Sequence, residues 1–208
     1  FPLRGGKGYQ WEGGTRGPYL IKAPMLKDTP EKVDYPVSGI DLYPTLLDLV
    51  GVDKDPSQII DGVSLLPLLE GKSLVARPLF WHYPHYGNQG GDPVSMIRRE
   101  EYKLIHYWED GHDELYNLSN DPGERNDISE GSEAIVKSLR TELDDYLENA
   151  NANIPEIYPN YDAAKAEAKY EERKTKTLQQ LEKQRVDFLD KGFKPNENWY
   201  DSSLNTKD

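Results

Sequence analysis

The sequence predicts an α/β protein: a mixed segment leads into a small antiparallel sheet with a packed helix, and a helical extension follows. Three observations carry that reading. Between positions 19 and 51 a short apolar run bounded by prolines gives way to an amphipathic helical period. Between positions 78 and 118 four short runs rich in aromatic and β-branched residues are separated by Gly, Asp and Pro. Beyond position 162 the chain becomes dense in Ala, Lys, Glu, Gln and Arg. These changes of character divide the chain into segments 1–76, 77–155 and 156–208.

Each element has a local reason. Residues 19–23, between Pro18 and Pro24, are expected to form a short buried strand. Asp41 is a suitable N-cap for the helix that follows, Pro44 is tolerated in its first turn, and Gly51 stops it. Leu42, Leu46, Leu49 and Val50 fall on one face of that helix. Residues 62–69, apolar and broken by Pro67, read as a turn of helix against the core. The runs 78–83, 94–99, 102–108 and 114–118 suggest a small antiparallel sheet of three or four strands, and Asp121-Pro122-Gly123-Glu124 marks a turn. Ser132 is placed to cap a helix reaching about Asn149, with Ile135, Leu139, Leu143, Tyr146 and Leu147 as its apolar stripe. From 162 to about 191 a solvated helix is expected to lie along the body, with Leu178, Leu181, Phe188 and Leu189 as its apolar residues and a mobile Asn-, Ser- and Lys-rich end.

Composition removes several function classes. The 208 residues carry 25 Lys and Arg against 37 Asp and Glu, a net charge of −12, which argues against a phosphate-neutralising nucleic-acid surface. With no cysteine, these residues hold no disulfide, thiolate metal site or cysteine nucleophile. No apolar run approaches the ~20 residues that a membrane-spanning helix needs. The opening Phe1-Pro2-Leu3 is no signal peptide and lacks an initiator methionine, so it reads as the middle of something larger.

Two clusters could carry chemistry. Arg4-Gly5-Gly6-Lys7-Gly8 sets two cations among three glycines, where backbone can approach an anion and a lysine can project beside it. Taken alone, an anion-gripping turn and a basic surface turn are both open. The spacing fits neither a Walker loop nor a dinucleotide fingerprint. The second cluster, Trp81-His82-Tyr83-Pro84-His85-Tyr86-Gly87-Asn88-Gln89-Gly90-Gly91, joins two histidines and three aromatics to an amide-rich loop suited to a sugar ring and its hydroxyls. Its histidine spacing does not make a zinc site. Strand alternation sends Trp81 and His82 to opposite faces, so one of them is core. Substrate contact and a packed structural role are both open for His82 and His85; Asn88 joins them as a candidate substrate ligand. His106 and His112 receive no role. The acids of 114–124 lack calcium-loop spacing and read as a turn before a helix.

Five segments in order resemble the formylglycine-dependent sulfatases, arylsulfatase-like members of the alkaline phosphatase superfamily. Residues 2–18 are similar to the family's P-L-R-x-G-K-G-x-x-[YW]-E-G-G-x-R-x-P stretch, and 41–49 to its D-x-x-P-T-L-L helix. Residues 61–71 resemble D-G-x-S-L-x-P-L-L-x-G, while 98–104 and 114–124 resemble the R-x-x-x-Y-K-L and E-L-Y-[DN]-L-x-x-D-P-x-E ending. The resemblance covers residues 1–150, as that family's C-terminal part.

It implies the end of an alkaline-phosphatase-like α/β domain in 1–76, a small α+β subdomain in 77–155 and a polar helical extension in 156–208. It implies that Lys7 contacts the sulfate group, with Arg4, Glu12 and Arg16 as scaffold. The family's nucleophile, a Cys or Ser of C/S-x-P-x-R converted to formylglycine, has no counterpart here, and most acidic ligands of its calcium lie upstream. The chain is therefore expected to be inactive alone and to need the missing N-terminal part of the sulfatase. The implied reaction is hydrolysis of a sulfate ester, with a sulfated carbohydrate as substrate and a periplasmic or secreted location. A related phosphoester or phosphonate hydrolase, and a non-catalytic module pairing with a separate N-terminal fragment, are the alternatives.

Overall fold

Alternation along four short strands builds the centre of the molecule. In the computed structural model, which describes residues 3–27, 29–87, 91–156, 161–172, 175–176 and 178–194, β1 (Leu79–Tyr83), β2 (Val94–Arg99), β3 (Tyr102–Tyr107) and β4 (Asp113–Asn117) pair antiparallel in chain order. The register aligns Leu79, Arg98, Lys103 and Tyr116 in one row across the sheet, and Phe80, Ile97, Leu104 and Leu115 in the next. Because side chains alternate with period two, successive rows serve opposite faces. All four runs form strands, each within a residue of its predicted limits.

Each face is covered by something different. Ile97, Leu104 and Leu115 pack under Leu139, Leu143 and Leu147 of α4 (Glu133–Asn149), the helix and stripe that the sequence predicts. The Phe80 ring stacks on Tyr146 with centroids 3.9 Å apart. Ser132 precedes α4 but its side chain makes no capping bond. The opposite face buries Val94, Met96, Ile105, Tyr107, Tyr116 and Leu118, with Trp11 and Trp81 packed against them. Trp11 leads into a short helix, α1 (Glu12–Thr15), so the glycine-rich start of the chain is the lid of this second face.

Ahead of the sheet, Asp41 organises the irregular segment. It ends a 3₁₀ turn (Gly39–Asp41), and α2 (Leu42–Val50) and α3 (Leu66–Leu69) follow. Asp41 does not cap α2 through its side chain, contrary to expectation. Its fully buried carboxylate instead accepts the Ser38 N–H at 2.8 Å and the Val63 N–H at 3.0 Å, and pairs with the Arg77 guanidinium. The Asp41 carbonyl accepts from Thr45 Oγ1 at 2.6 Å, and that hydroxyl accepts from the Leu65 N–H at 2.9 Å. One carboxylate thus gathers three strand-less stretches of backbone. Gly51 closes α2 in the left-handed conformation (φ 68°), as predicted.

Two expectations fail here. Residues 19–23 form no strand, and Tyr19, Leu20 and Ile21 are exposed. The shared face of α2 is not covered either: Leu42, Leu46 and Val50 are exposed. Together with Tyr19, Ile21 and Met25, Leu42 and Leu46 line an open apolar groove.

The chain divides into two units, Phe1–Ile157 and Tyr158–Asp208. In the second, α5 (Ala163–Glu172) and α6 (Leu178–Leu189) are helical, as their composition predicts, and carry salt bridges such as Lys176–Glu172 and Arg185–Glu182. Phe188 and Leu189 are exposed on α6. The side chains of Leu178 and Leu181 lie outside the described residues, as does the Asn-, Ser- and Lys-rich end from 195 onward.

Asp41→Ala should cost about 3–5 kcal/mol, because it strands Arg77 and two backbone donors at once. Chemical denaturation measures it, and a loss below about 1 kcal/mol would mean that Asp41 organises nothing.

Candidate functional site

The glycine-rich start is a tight loop on the second face of the sheet. The Tyr9 N–H donates to the Gly6 carbonyl at 3.0 Å, and Gly8 holds φ 91°. Those features describe a type II turn with Lys7 at its second position and a glycine where a positive φ is required. Lys7 is exposed, and among the described residues its ammonium makes no ion pair or hydrogen bond. The turn therefore presents one cation to the surface.

Close backbone approach explains the later glycines. A Cβ on Gly13 would lie 2.4 Å from the Arg4 carbonyl oxygen, and one on Gly14 would lie 2.0 Å from that of Tyr9. The Gly13 N–H donates to the Arg4 carbonyl at 2.8 Å, tying the two ends of the loop together. The guanidinium of Arg4 then lies 3.7 Å over the Trp11 ring and donates to Tyr116 Oη at 3.1 Å and the Glu124 carbonyl at 2.9 Å. Arg4 is scaffold, as the sequence suggests.

Beneath the loop lies a buried charge cluster. Lys103, projecting from β3, is 0% exposed; its Nζ is 3.2 Å from Glu12 Oε1 and 2.9 Å from Glu124 Oε1. Glu12 is 2% exposed and Glu124 0%. The other oxygen of Glu124 accepts the Glu12 N–H, and Arg98 from β2 stands 3.9 Å from Glu12 Oε2. Glu124 itself adopts a positive φ of 50° to reach inward. Burial pushes its carboxyl pKa up, while the Lys103 ammonium and the Glu12 N–H pull it back. Burial, with the Glu114 charge nearby, also holds the Tyr107 and Tyr116 hydroxyls protonated well above the usual tyrosine range.

The second cluster reaches the same end of the molecule. A Cβ on Gly91 would lie 2.2 Å from the Gly8 carbonyl oxygen, so the segment after β1 is pressed against the Lys7 turn. Gln10 Nε2 donates to Asp92 at 3.2 Å and to Tyr107 Oη at 3.2 Å, joining the two loops a second time. The Gly87 N–H closes the loop by donating to the Gly91 carbonyl at 2.7 Å. His85 is exposed on this loop, its ring edge-on to Tyr83 at 5.5 Å. Asn88 lies outside the described residues.

His82 faces the other way. Trp108 Nε1 donates to Ser95 Oγ at 2.8 Å, Ser95 Oγ lies 2.7 Å from His82 Nδ1, and His82 Nε2 lies 3.1 Å from the Asn153 carbonyl. Because a carbonyl only accepts, His82 Nε2 donates to Asn153, while Nδ1 bonds the Ser95 hydroxyl. Both ring nitrogens are thereby used inside the fold, whereas Trp81 packs against the core of the opposite face. His106, left without a role, is buried against Asp113 (2.8 Å) and Arg140 on that same α4 side.

Lys103, Arg98 and Glu124 were visible in the sequence only as parts of longer segments. The signal for Lys103 was its place in Tyr-Lys-Leu-Ile-His-Tyr, where alternation puts it on the face of Ile105 and Tyr107. A lysine there must be buried, and a buried ammonium needs carboxylates.

Residues 6–153 match the family model described as N-sulphoglucosamine sulphohydrolase, C-terminal. A protein named sulfatase from Formosa agariphila is 41% identical over 61% of this chain and 25% of its own length. The Delta 4,5-hexuronate-2-O-sulfatase of Bacteroides thetaiotaomicron is 33% identical over 64% of this chain and 28% of its own. Human steryl-sulfatase is 27% identical over 74% of this chain and 31% of its own. The crystal structure of Ps i-CgsB in complex with k-i-k-neocarrahexaose superposes with a TM-score of 0.52 and 25% identity, over 70% of this chain and 32% of that one. The chain therefore spans between 25% and 31% of the length of these three curated relatives.

The buried Glu124 makes a pH signature. Its folded pKa is raised, so its contribution to stability is present in full below the ordinary carboxylate range, near pH 4, and is lost as pH rises through the folded value. Glu124→Gln does not titrate. The melting temperature of this variant relative to the parent should therefore climb between about pH 4 and pH 7. A difference that stays flat across that window would show that Glu124 ionises as freely in the folded chain as in the unfolded one.

Proposed function

The chain belongs to the N-sulphoglucosamine sulphohydrolase C-terminal family of sulfatases, and from that premise we propose that it forms the sulfate-facing rim of a sulfate-ester hydrolase. The observation that carries the proposal is Lys7, an exposed ammonium on a glycine turn whose ends are fastened to the sheet. In the reaction a sulfate ester and water give an alcohol and sulfate. Lys7 would hold a sulfuryl oxygen and offset charge that develops there and on the leaving oxygen as the S–O bond breaks. The formylglycine hydrate and calcium of this family would supply the nucleophile and further charge neutralisation.

The described residues do not fit that metal. No group of three or more His, Asp or Glu side chains converges among them as a metal site would. The three most buried carboxylates, Asp41, Glu12 and Glu124, are each paired with a cation. Both groups are therefore assigned to the part of the sulfatase upstream of this stretch, and no step is drawn through either. The open apolar groove of Tyr19, Ile21, Met25, Leu42 and Leu46 suits packing by that upstream part, since a patch of large apolar side chains marks a contact surface.

A sulfated carbohydrate is the proposed substrate. The segment that carries His85 runs into Gly91, which is pressed against the Gly8 carbonyl of the Lys7 turn, so His85 is the proposed contact for a sugar whose sulfate meets Lys7; Asn88, outside the described residues, is kept as a proposed ligand on its sequence alone. Aromatic and amide side chains of this kind bind sugar rings and hydroxyls. His82 is instead bonded to Ser95 and Asn153 on the α4 side of the sheet. The relative named as a Delta 4,5-hexuronate-2-O-sulfatase and the structure solved with k-i-k-neocarrahexaose support the same choice. The phosphoester and phosphonate alternative is not favoured by these sulfatase relatives. No helix among the described residues is long and apolar enough to cross a membrane; a periplasmic or secreted site of action is proposed.

The complete polypeptide, assayed on sulfated oligosaccharides, on a steryl sulfate and on a phosphonate ester, tests this. Lys7→Ala should lower kcat on the preferred sulfate ester on the order of a hundredfold or more. His85→Ala should raise KM about tenfold with kcat little changed. Unaltered turnover in Lys7→Ala removes the sulfate role, and a preference for steryl sulfate removes the carbohydrate reading.

A further inference from the structure

An ammonium that must meet a sulfuryl oxygen works only if it is held in place. The Lys7 turn has one internal hydrogen bond, from the Tyr9 N–H to the Gly6 carbonyl. On one side Gly91 and the Gln10 bonds to Asp92 and Tyr107 press against it, and its remaining ties lie at the two ends of the loop. Arg4 is fastened to Tyr116 and to the backbone of Glu124. Glu12 is fastened to Lys103 through its carboxylate and to Glu124 through its N–H. The Gly13 N–H to Arg4 carbonyl bond joins the two ends. Lys103 sits where these ties meet.

We infer that Lys103 is a positioning residue for Lys7, acting through Glu12 and Glu124. Stability alone does not account for it. A single carboxylate would neutralise a buried lysine, yet Lys103 bridges two, one from the loop and one from the turn after β4. A cluster of buried charges is often no more stable than apolar residues of the same volume. Here Lys103 shares its row with Arg98 and Tyr116, and the same face carries the apolar Met96 and Ile105. What the charges add is direction. One rigid ammonium on a strand, with both carboxylates oriented on it, sets the Glu12 end of the loop against the sheet and so sets the height and tilt of the Lys7 turn. Shifting a group by about 1 Å at a reacting centre can cost on the order of a hundredfold in rate.

The inference rests on Lys7 being the sulfate ligand, so the test has one arm that does not. In the complete polypeptide, hydrogen exchange of residues 3–16 should quicken at least about tenfold in Lys103→Met, while β2 and β3 keep their protection. On a sulfate ester, kcat should fall on the order of a hundredfold with KM little moved, and Lys103→Met should add nothing further in a Lys7→Ala background. If Lys103→Met fails to fold, the triple variant Glu12→Gln, Lys103→Met, Glu124→Gln removes the charges without stranding a carboxylate, and the same measurements apply. Unchanged exchange over 3–16 overturns the inference. So does an equal slowing of the parent and the Lys7→Ala enzyme, since a general loss of structure affects both alike. A parent protein that hydrolyses no sulfate ester overturns the sulfatase reading instead, and the exchange arm still decides whether Lys103 holds the turn.

Discussion

One ammonium, that of Lys103, stands fully buried between the carboxylates of Glu12 and Glu124, and the arrangement of the first unit follows from satisfying it. A strand lysine on an inward face loses its hydration, and only charges or strong acceptors brought to it can offset that loss. The two carboxylates come from opposite sides of the sheet's sequence, some 90 and 20 residues away in round numbers. Meeting that demand pulls the glycine-rich start of the chain down onto the second face and turns the segment after β4 inward, where Glu124 accepts a positive φ. The turn that displays Lys7 is then what remains on the outside. A buried cation and an exposed one are thus linked, the first defining where the second can be.

Asp41 plays the reciprocal part in the segment before the sheet. There a buried anion gathers Ser38, Val63 and Arg77, and no regular element supplies those contacts. Both nodes hold irregular backbone by charge-assisted bonds, which are directional where apolar packing is not. They also differ. The Lys103 node is sealed between a sheet and a loop, while the Asp41 node stands beside an α2 face whose leucines are open. The first node draws both its cations and its carboxylates from these residues, whereas the second has an apolar groove beside it.

The sheet and α4 were legible because period two and period 3.6 patterns report directly on which face is buried. Strand limits agree within a residue, and the stripe Leu139, Leu143, Leu147 is the one that packs. Residues 19–23 were misread for the same reason: an apolar run between prolines fits a strand only if another strand pairs with it, and none among the described residues does. Asp41 was misread because an N-cap pattern does not reveal a longer-range competitor, here Arg77 and the Val63 N–H. At the site, the glycines around Lys7 were legible as a turn. Their deeper cause, Lys103, was not: its carboxylates are distant in sequence and no local spacing links them.

The two histidines of the aromatic loop show what a sheet does to a motif. Trp81 and His82 are neighbours in sequence, yet alternation assigns them to different faces and therefore to different neighbours. His82 shares a row with Ser95, His106 and Asp113 on the α4 side, and both its nitrogens are taken there. His85 comes after the last paired residue, Tyr83, where the chain is released from alternation and free to follow the loop toward Gly91 and Gly8. A histidine three positions further along thus belongs to a different structure. The end of the hydrogen-bonded ladder separates a histidine whose two ring nitrogens are bonded within the fold from one that is exposed on the loop.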